Sequence, residues 1–278
     1  MGNLRIPDAY TSGKAALERA REIDAKLPEA KCASAWLEMM RDRNWRGARK
    51  GFDECLADRD HTTRALVGRA MLFIAERSLQ DASKLLYDVI KLRPLNALVG
   101  ALYCWSTYLD EDYRTALDFA EEMRASGSSG PVLGAVESLA AIHCDPPRVY
   151  LRHIETTAGD WPQDQLLQGI LGYAYALNGR TSEAKQILHA MTHLPEGEKA
   201  VPSYAAALVL AGLGEFRDAV QWLETSFRRG SLWSMGFLSD PALRRIRDDS
   251  SYRDSFLADN YPSIPETSQG LMTSGSRL

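Results

Sequence analysis

One small residue recurs along this chain at a fixed interval, and that interval limits the fold more than any other feature. Ala48, Ala82 and Ala116 follow one another at 34 residues, Ala184 lies two intervals further on, and Ala219 comes one residue late. Four residues after each alanine stands Phe52, Leu86, Ala120, Leu188 or Leu223, one helical turn along the same face. Three residues before each stands Trp45, Leu79, Tyr113, Thr181 or Phe216, where the chain closes a turn. A small side chain held at one register position is what two helices need where they cross closely. A unit of this length cannot bury its apolar face alone, so the sequence predicts a stack of helix pairs.

The period divides residues 28–230 into six repeats, at about 29–62, 63–96, 97–130, 131–164, 165–199 and 200–230. Pro94 and Pro162 stand where one pair ends and the next begins, and Pro195 lies one place off that register. The fourth repeat is degenerate, with Tyr150 in place of the alanine. It is flanked by Gly127-Ser128-Ser129-Gly130-Pro131 and Asp145-Pro146-Pro147. Either the array bends there or the pair is ordinary and short. Residues 11–26 read as one more helix, apolar at Ala15, Leu17, Ala20 and Ile23. That helix is the second half of a partial repeat, as in a piece of something longer, or an N-terminal cap. The period is lost after Gly230; 240–246 and 252–257 read as short capping helices, and 261–278 as a flexible tail rich in Ser, Thr and Gly.

The spacing and the small–large pattern resemble the tetratricopeptide repeat family. The resemblance implies an all-α, right-handed α-solenoid of about six helix pairs with capping helices at both ends. It also implies a concave groove lined by positions 2, 5, 9 and 12 of each repeat. Here the second repeat contributes Arg64, Val67, Met71 and Ile74, and the third contributes Leu98, Ala101, Trp105 and Tyr108. The fifth adds Leu166, Gly169, Tyr173 and Ala176, and the sixth adds Val201, Tyr204, Leu208 and Ala211. Arg64, Met71, Trp105, Tyr108, Tyr173 and Tyr204 are therefore the expected partner-binding residues. Family members that clamp an acidic C-terminus use Lys, Asn and Arg at these places, a set absent here. An extended or helical apolar peptide suits such a surface better. Two alternatives stay open: the aromatic residues pack between repeats, or the chain's own N-terminal or C-terminal segment fills the groove.

The last third carries a narrower likeness. Leu171-Gly172-Tyr173-Ala174-Tyr175-Ala176-Leu177-Asn178-Gly179-Arg180 precedes Ser203-Tyr204-Ala205-Ala206-Ala207-Leu208, then Trp222-Leu223-Glu224 and Asp240-Pro241-Ala242-Leu243-Arg244-Arg245-Ile246. In order and spacing these resemble the C-terminal repeat domain of bacterial regulators that pair such a solenoid with an OmpR-type winged helix or an adenylate cyclase domain. The likeness implies a sensory or partner-binding module, and neither output pattern occurs within these residues.

Composition narrows the partners. The chain has 278 residues, 45% hydrophobic and 25% charged, which suits a folded protein rather than a disordered one. A formal net charge of -4 supplies no basic field for phosphates, so direct nucleic-acid binding is not expected. No apolar run is long enough for a membrane span. Cys32, Cys55, Cys104 and Cys144 form no CxxC pair and read as reduced, mostly buried thiols in a cytoplasmic protein. Partners are then proteins or peptides; the alternatives are a sensor holding an apolar small molecule between the inner helices near Trp105 and Tyr173, and self-association through exposed end repeats.

Reactive constellations are sparse. His189 and His193 have the spacing of two helical metal ligands, but no third ligand is evident from sequence, and solvent-facing histidines are the ordinary reading. The acidic runs 110–112 and 248–249 read as helix caps or solvated ends. Residues 41–50 make a basic patch near a turn, more simply a solvated face than a docking site. Phosphate loops and nucleophile elbows are missing. The sequence predicts a binding module without cofactor, metal or catalytic site.

Overall fold

The structure, a computed structural model, describes residues 6–24, 27–57, 62–93, 96–193 and 200–249. Within them the chain is an all-α solenoid with no strand. An N-terminal helix, α1 (Ile6–Ile23), precedes six antiparallel hairpins. These are α2 (Pro28–Leu37) with α3 (Trp45–Leu56), α4 (Thr62–Ala75) with α5 (Leu79–Leu92), and α6 (Ala97–Leu109) with α7 (Tyr113–Ala125). Next come α8 (Pro131–Cys144) with α9 (Pro147–Asp160), α10 (Gln165–Leu177) with α11 (Thr181–Thr192), and α12 (Ala200–Leu213) with α13 (Phe216–Arg228). A π-helical turn, Glu38–Asp42, extends α2. Two 3-10 turns, Leu232–Gly236 and Pro241–Leu243, and the short α14 (Arg244–Asp248) end the described chain.

The periodic residues explain the hairpins. Trp45, Leu79, Tyr113, Thr181 and Phe216 are the first residues of the outer helices α3, α5, α7, α11 and α13. Ala48, Ala82, Ala116, Ala184 and Ala219 lie one turn later and have no exposed surface, since they sit under the crossing of the hairpin. A second periodic signal is conformational. Arg43, Arg77, Glu111, Gly179 and Gly214 all have positive φ, at the same place in the turn of each hairpin. That left-handed residue ends the inner helix and redirects the chain. The fourth hairpin lacks it, because Asp145 is extended before Pro146, as a residue preceding proline must be. Its turn therefore differs in kind, while Tyr150 is buried and its hydroxyl takes a hydrogen bond from Asn178 Nδ2 at 2.5 Å. Pro94, Pro195 and residues 252–278 lie outside the described residues.

Inner helices pack unevenly along the array. α10 lies closely on α12, and α6 on α8, but no comparable contact joins α4 to α6. Gly169 lets α10 approach: a Cβ there would meet the Ala205 backbone at 2.9 Å. Three repeats earlier the same register position is Val67.

The array also closes on itself. Arg41 Nη1 donates to Arg228 O at 3.3 Å, and the Arg43 guanidinium lies 5.2 Å from the Phe227 ring centre. Gly230 is so near Met40 that a Cβ on it would be 2.8 Å from the Met40 carbonyl oxygen. The turn of the first hairpin thus abuts the end of the last, and 231–248 folds back into the concave space between them.

Candidate functional site

The C-terminal segment determines what part of the concave face is open. Trp233 packs edge-on against Trp105, with ring centres 5.0 Å apart. A Cβ on Gly236 would lie 2.6 Å from Trp105 Cζ2 and 3.0 Å from Leu109 Cδ1, so a side chain there would force these neighbours to shift. Asp240 has no exposed surface; Oδ1 accepts from the Tyr108 hydroxyl at 2.8 Å and from Ala242 N at 2.9 Å, and Oδ2 accepts from the Tyr204 hydroxyl. The Arg247 guanidinium donates to Phe237 O at 3.0 Å and to Asp240 O. Burial pulls the Arg247 pKa down, and the Asp240 charge partly offsets that. Arg244 pairs with Glu111 at 2.5 Å across the same face. Burial likewise raises the Tyr108 and Tyr173 phenols, with the Asp240 charge adding to it.

The six groove residues therefore divide. Trp105, Tyr108 and Tyr204 are buried behind 231–248, and Tyr173 is only 7% exposed. The open aromatic surface expected at these four is not present: they belong to the core, because Asp240 and Trp233 occupy the space a partner would have used. Arg64 is exposed, whereas Met71, expected at the open groove, has no exposed surface and lies beneath it. Both line a pocket of about 830 Å³ at the N-terminal end of the concave face, where α4 and α6 stand apart. α2 contributes Trp36 and Leu37, α4 contributes Val67, α6 contributes Leu98, Val99 and Leu102, and Leu232 comes from the C-terminal segment. Gly13 of α1 is at its edge. The lining is mostly apolar, with Thr63, Arg64 and Asn96 as its polar members.

Other candidates resolve more simply. His189 and His193 are exposed neighbours with ring centres 3.8 Å apart, and among the described residues no three of His, Cys, Asp or Glu could hold a metal ion. His143 stacks flat on Tyr113 at 4.3 Å; burial lowers its pKa, and burial with the Glu111 charge pushes Tyr113 up to about 12. Asp112 caps α7 through Thr115 N. In the basic patch, Arg49 pairs with Glu76, and Arg41 reaches across to Arg228. The expectation of four reduced thiols needs correction. Cys32 on α2 and Cys55 on α3 form a disulfide, their Cα atoms 5.7 Å apart because the hairpin brings them level. Cys104, pushed up to about 12 by burial, and Cys144 are free.

Comparison with known proteins bears on the fold. No protein-family model and no curated protein matches the chain. Among solved structures, a tetratricopeptide repeat protein from Parabacteroides merdae ATCC 43184 is similar over 84% of this chain and 92% of its own, at 14% identity and a TM-score of 0.54. The human IFIT1 dimer with m7Gppp-AAAA matches over 96% of this chain and 58% of its own, at 17% identity and a TM-score of 0.45. A monomeric IFIT1 mutant with Gppp-AAAA gives 18% identity, 0.46, and 98% and 64% coverage. With its six hairpins, this chain has the fold of a tetratricopeptide-type solenoid. Among the described residues, no helix is long and apolar enough to cross a membrane.

Proposed function

We propose that this chain is a non-catalytic interaction module, a scaffold or regulatory solenoid that binds a protein or peptide partner at the N-terminal part of its concave face. The observation that carries this is the apolar pocket between α2, α4 and α6, left open where the C-terminal segment stops filling the groove. An apolar side chain of the partner enters it, with Leu98, 53% exposed, and Arg64 at the rim. Trp105, Tyr108, Tyr173 and Tyr204 reach a partner only if residues 231–248 leave the groove. A role inside a bacterial signalling or transcriptional regulator rests on the likeness of the last third of the sequence. The cytoplasmic location loses part of its support to the Cys32–Cys55 disulfide.

The test uses exposed residues, so that folding is spared. Leu98→Asp and Arg64→Glu should each abolish retention of a partner captured from source-cell lysate, while Val149→Asp on the exposed face of α9 should keep it. Equal retention by all three variants places the partner elsewhere. A second reading, a small-molecule site, is favoured by the volume of the same pocket, about 830 Å³, and by its single cation, Arg64. A ligand bound there would raise the melting temperature by mass action.

A further inference from the structure

The pocket is polar at one end and apolar at the other. Thr63 and Arg64 stand in the first turn of α4, and Asn96 caps the start of α6. Further along those helices Val67 and Met71 on α4 and Val99 and Leu102 on α6 form a buried apolar floor, and Trp36, Leu37 and Leu232 are half-buried apolar members of the lining. Arg64 is exposed and takes part in no ion pair or hydrogen bond among the described residues. Asn96 Oδ1 is engaged by Val99 N at 3.2 Å, so its amide nitrogen is the group left to donate. No Asp or Glu lines the pocket. The charged and amide groups at the polar end are thus donors, next to an apolar space of about 830 Å³, which is within the usual range for ligand sites.

We propose that this pocket binds an amphiphilic carboxylic acid, a single aliphatic chain ending in a carboxylate. The chain lies against Trp36, Leu37 and Leu98, and the carboxylate meets the Arg64 guanidinium and the Asn96 amide at the mouth. Guanidinium fits a carboxylate with two parallel hydrogen bonds, which a hydroxyl cannot match. An amine of the same chain length would set a second cation beside Arg64. This rests on the small-molecule reading of the pocket.

The probes are dodecanoate and dodecanol, each kept below its aggregation concentration and titrated into the full chain by calorimetry, with tryptophan fluorescence (Trp36 lines the site) as a second readout. Dodecanoate should bind saturably at one site, and affinity should rise about fourfold per added methylene in a series of shorter acids. Arg64→Gln should weaken the acid about tenfold or more and leave dodecanol unchanged. Ala33→Trp, which fills the half-open wall, should weaken both, with circular dichroism confirming the fold. No saturable binding of dodecanoate overturns the proposal, as does equal binding of acid and alcohol that Arg64→Gln leaves untouched. The two readings fail separately. If partner capture depends on Leu98 and Arg64 while dodecanoate does not bind, the pocket is a protein-docking site. If the acid binds and capture ignores both residues, the ligand site stands and the docking reading falls.

Discussion

Asp240 shows how much one buried carboxylate can hold in place. Its two oxygens take hydrogen bonds from Tyr108 on α6 and Tyr204 on α12, so it ties two inner helices to the segment that covers them. Asp240→Ala would strand two buried phenols, and unfolding free energy should fall by about 3 kcal/mol in denaturant titration. A loss under about 0.5 kcal/mol would mean that packing of Trp233 and Phe237 alone holds the segment. His143 gives a pH dependence of definite sign. Burial holds its folded pKa below the ordinary 6.5, so the unfolded chain takes the proton first as pH drops. Its contribution is complete above about pH 6.5 and is lost as pH falls toward the depressed folded value. Around it stand Tyr108, Tyr113, Asp240, Glu111 and Arg244; Asp240 and Glu111 raise the pKa and Arg244 lowers it. His143→Phe should flatten the stability profile below pH 6.5, as read from melting temperatures, while a profile as steep as wild type would point to other groups.

At the level of helices, the sequence was informative wherever contacts are local. The alanines of the crossings and the residues that open the outer helices repeat with the period, because each hairpin solves the same packing problem. Left-handed turn residues were half visible: Gly179 and Gly214 announce themselves, whereas Arg43, Arg77 and Glu111 adopt the same φ without a glycine. A groove filled by the chain's own C-terminal segment was one of the alternatives the sequence left open, because deciding it depends on pairs far apart in sequence. Tyr108 meets Asp240 across 132 residues, and Glu111 meets Arg244 across 133. Residues 231–248 have no periodic pattern to signal where they lie. The disulfide escaped for another reason. Cys32 and Cys55 form no motif, and only the phase of α2 against α3 makes them neighbours. Closing a loop of 23 residues is worth about 3 kcal/mol in chain entropy, so reductant should lower stability by that order, and Cys32→Ser should make the protein indifferent to it. A wild type equally stable in oxidant and reductant would show that the thiols need no bond.

For the molecule as a whole, the seam between the first and last hairpins is the feature that sets it apart from an open array. Gly230 makes the seam possible, having both a φ of +71° and no room for a Cβ against Met40. Gly230→Val should part the two ends, raising the radius of gyration in small-angle scattering and the hydrogen exchange of 38–43. Unchanged dimensions and exchange would show that the segment 231–248 holds the ring without the seam. An open solenoid can gain or lose a unit at either end, since each unit answers only to its neighbours. Between two units that touch across a seam, that freedom is lost. One more unit of 34 residues inserted between the two sides of the seam would push Gly230 past Met40, and one fewer would leave it short, so the contact itself counts the hairpins it spans, as a hoop counts the staves of a cask.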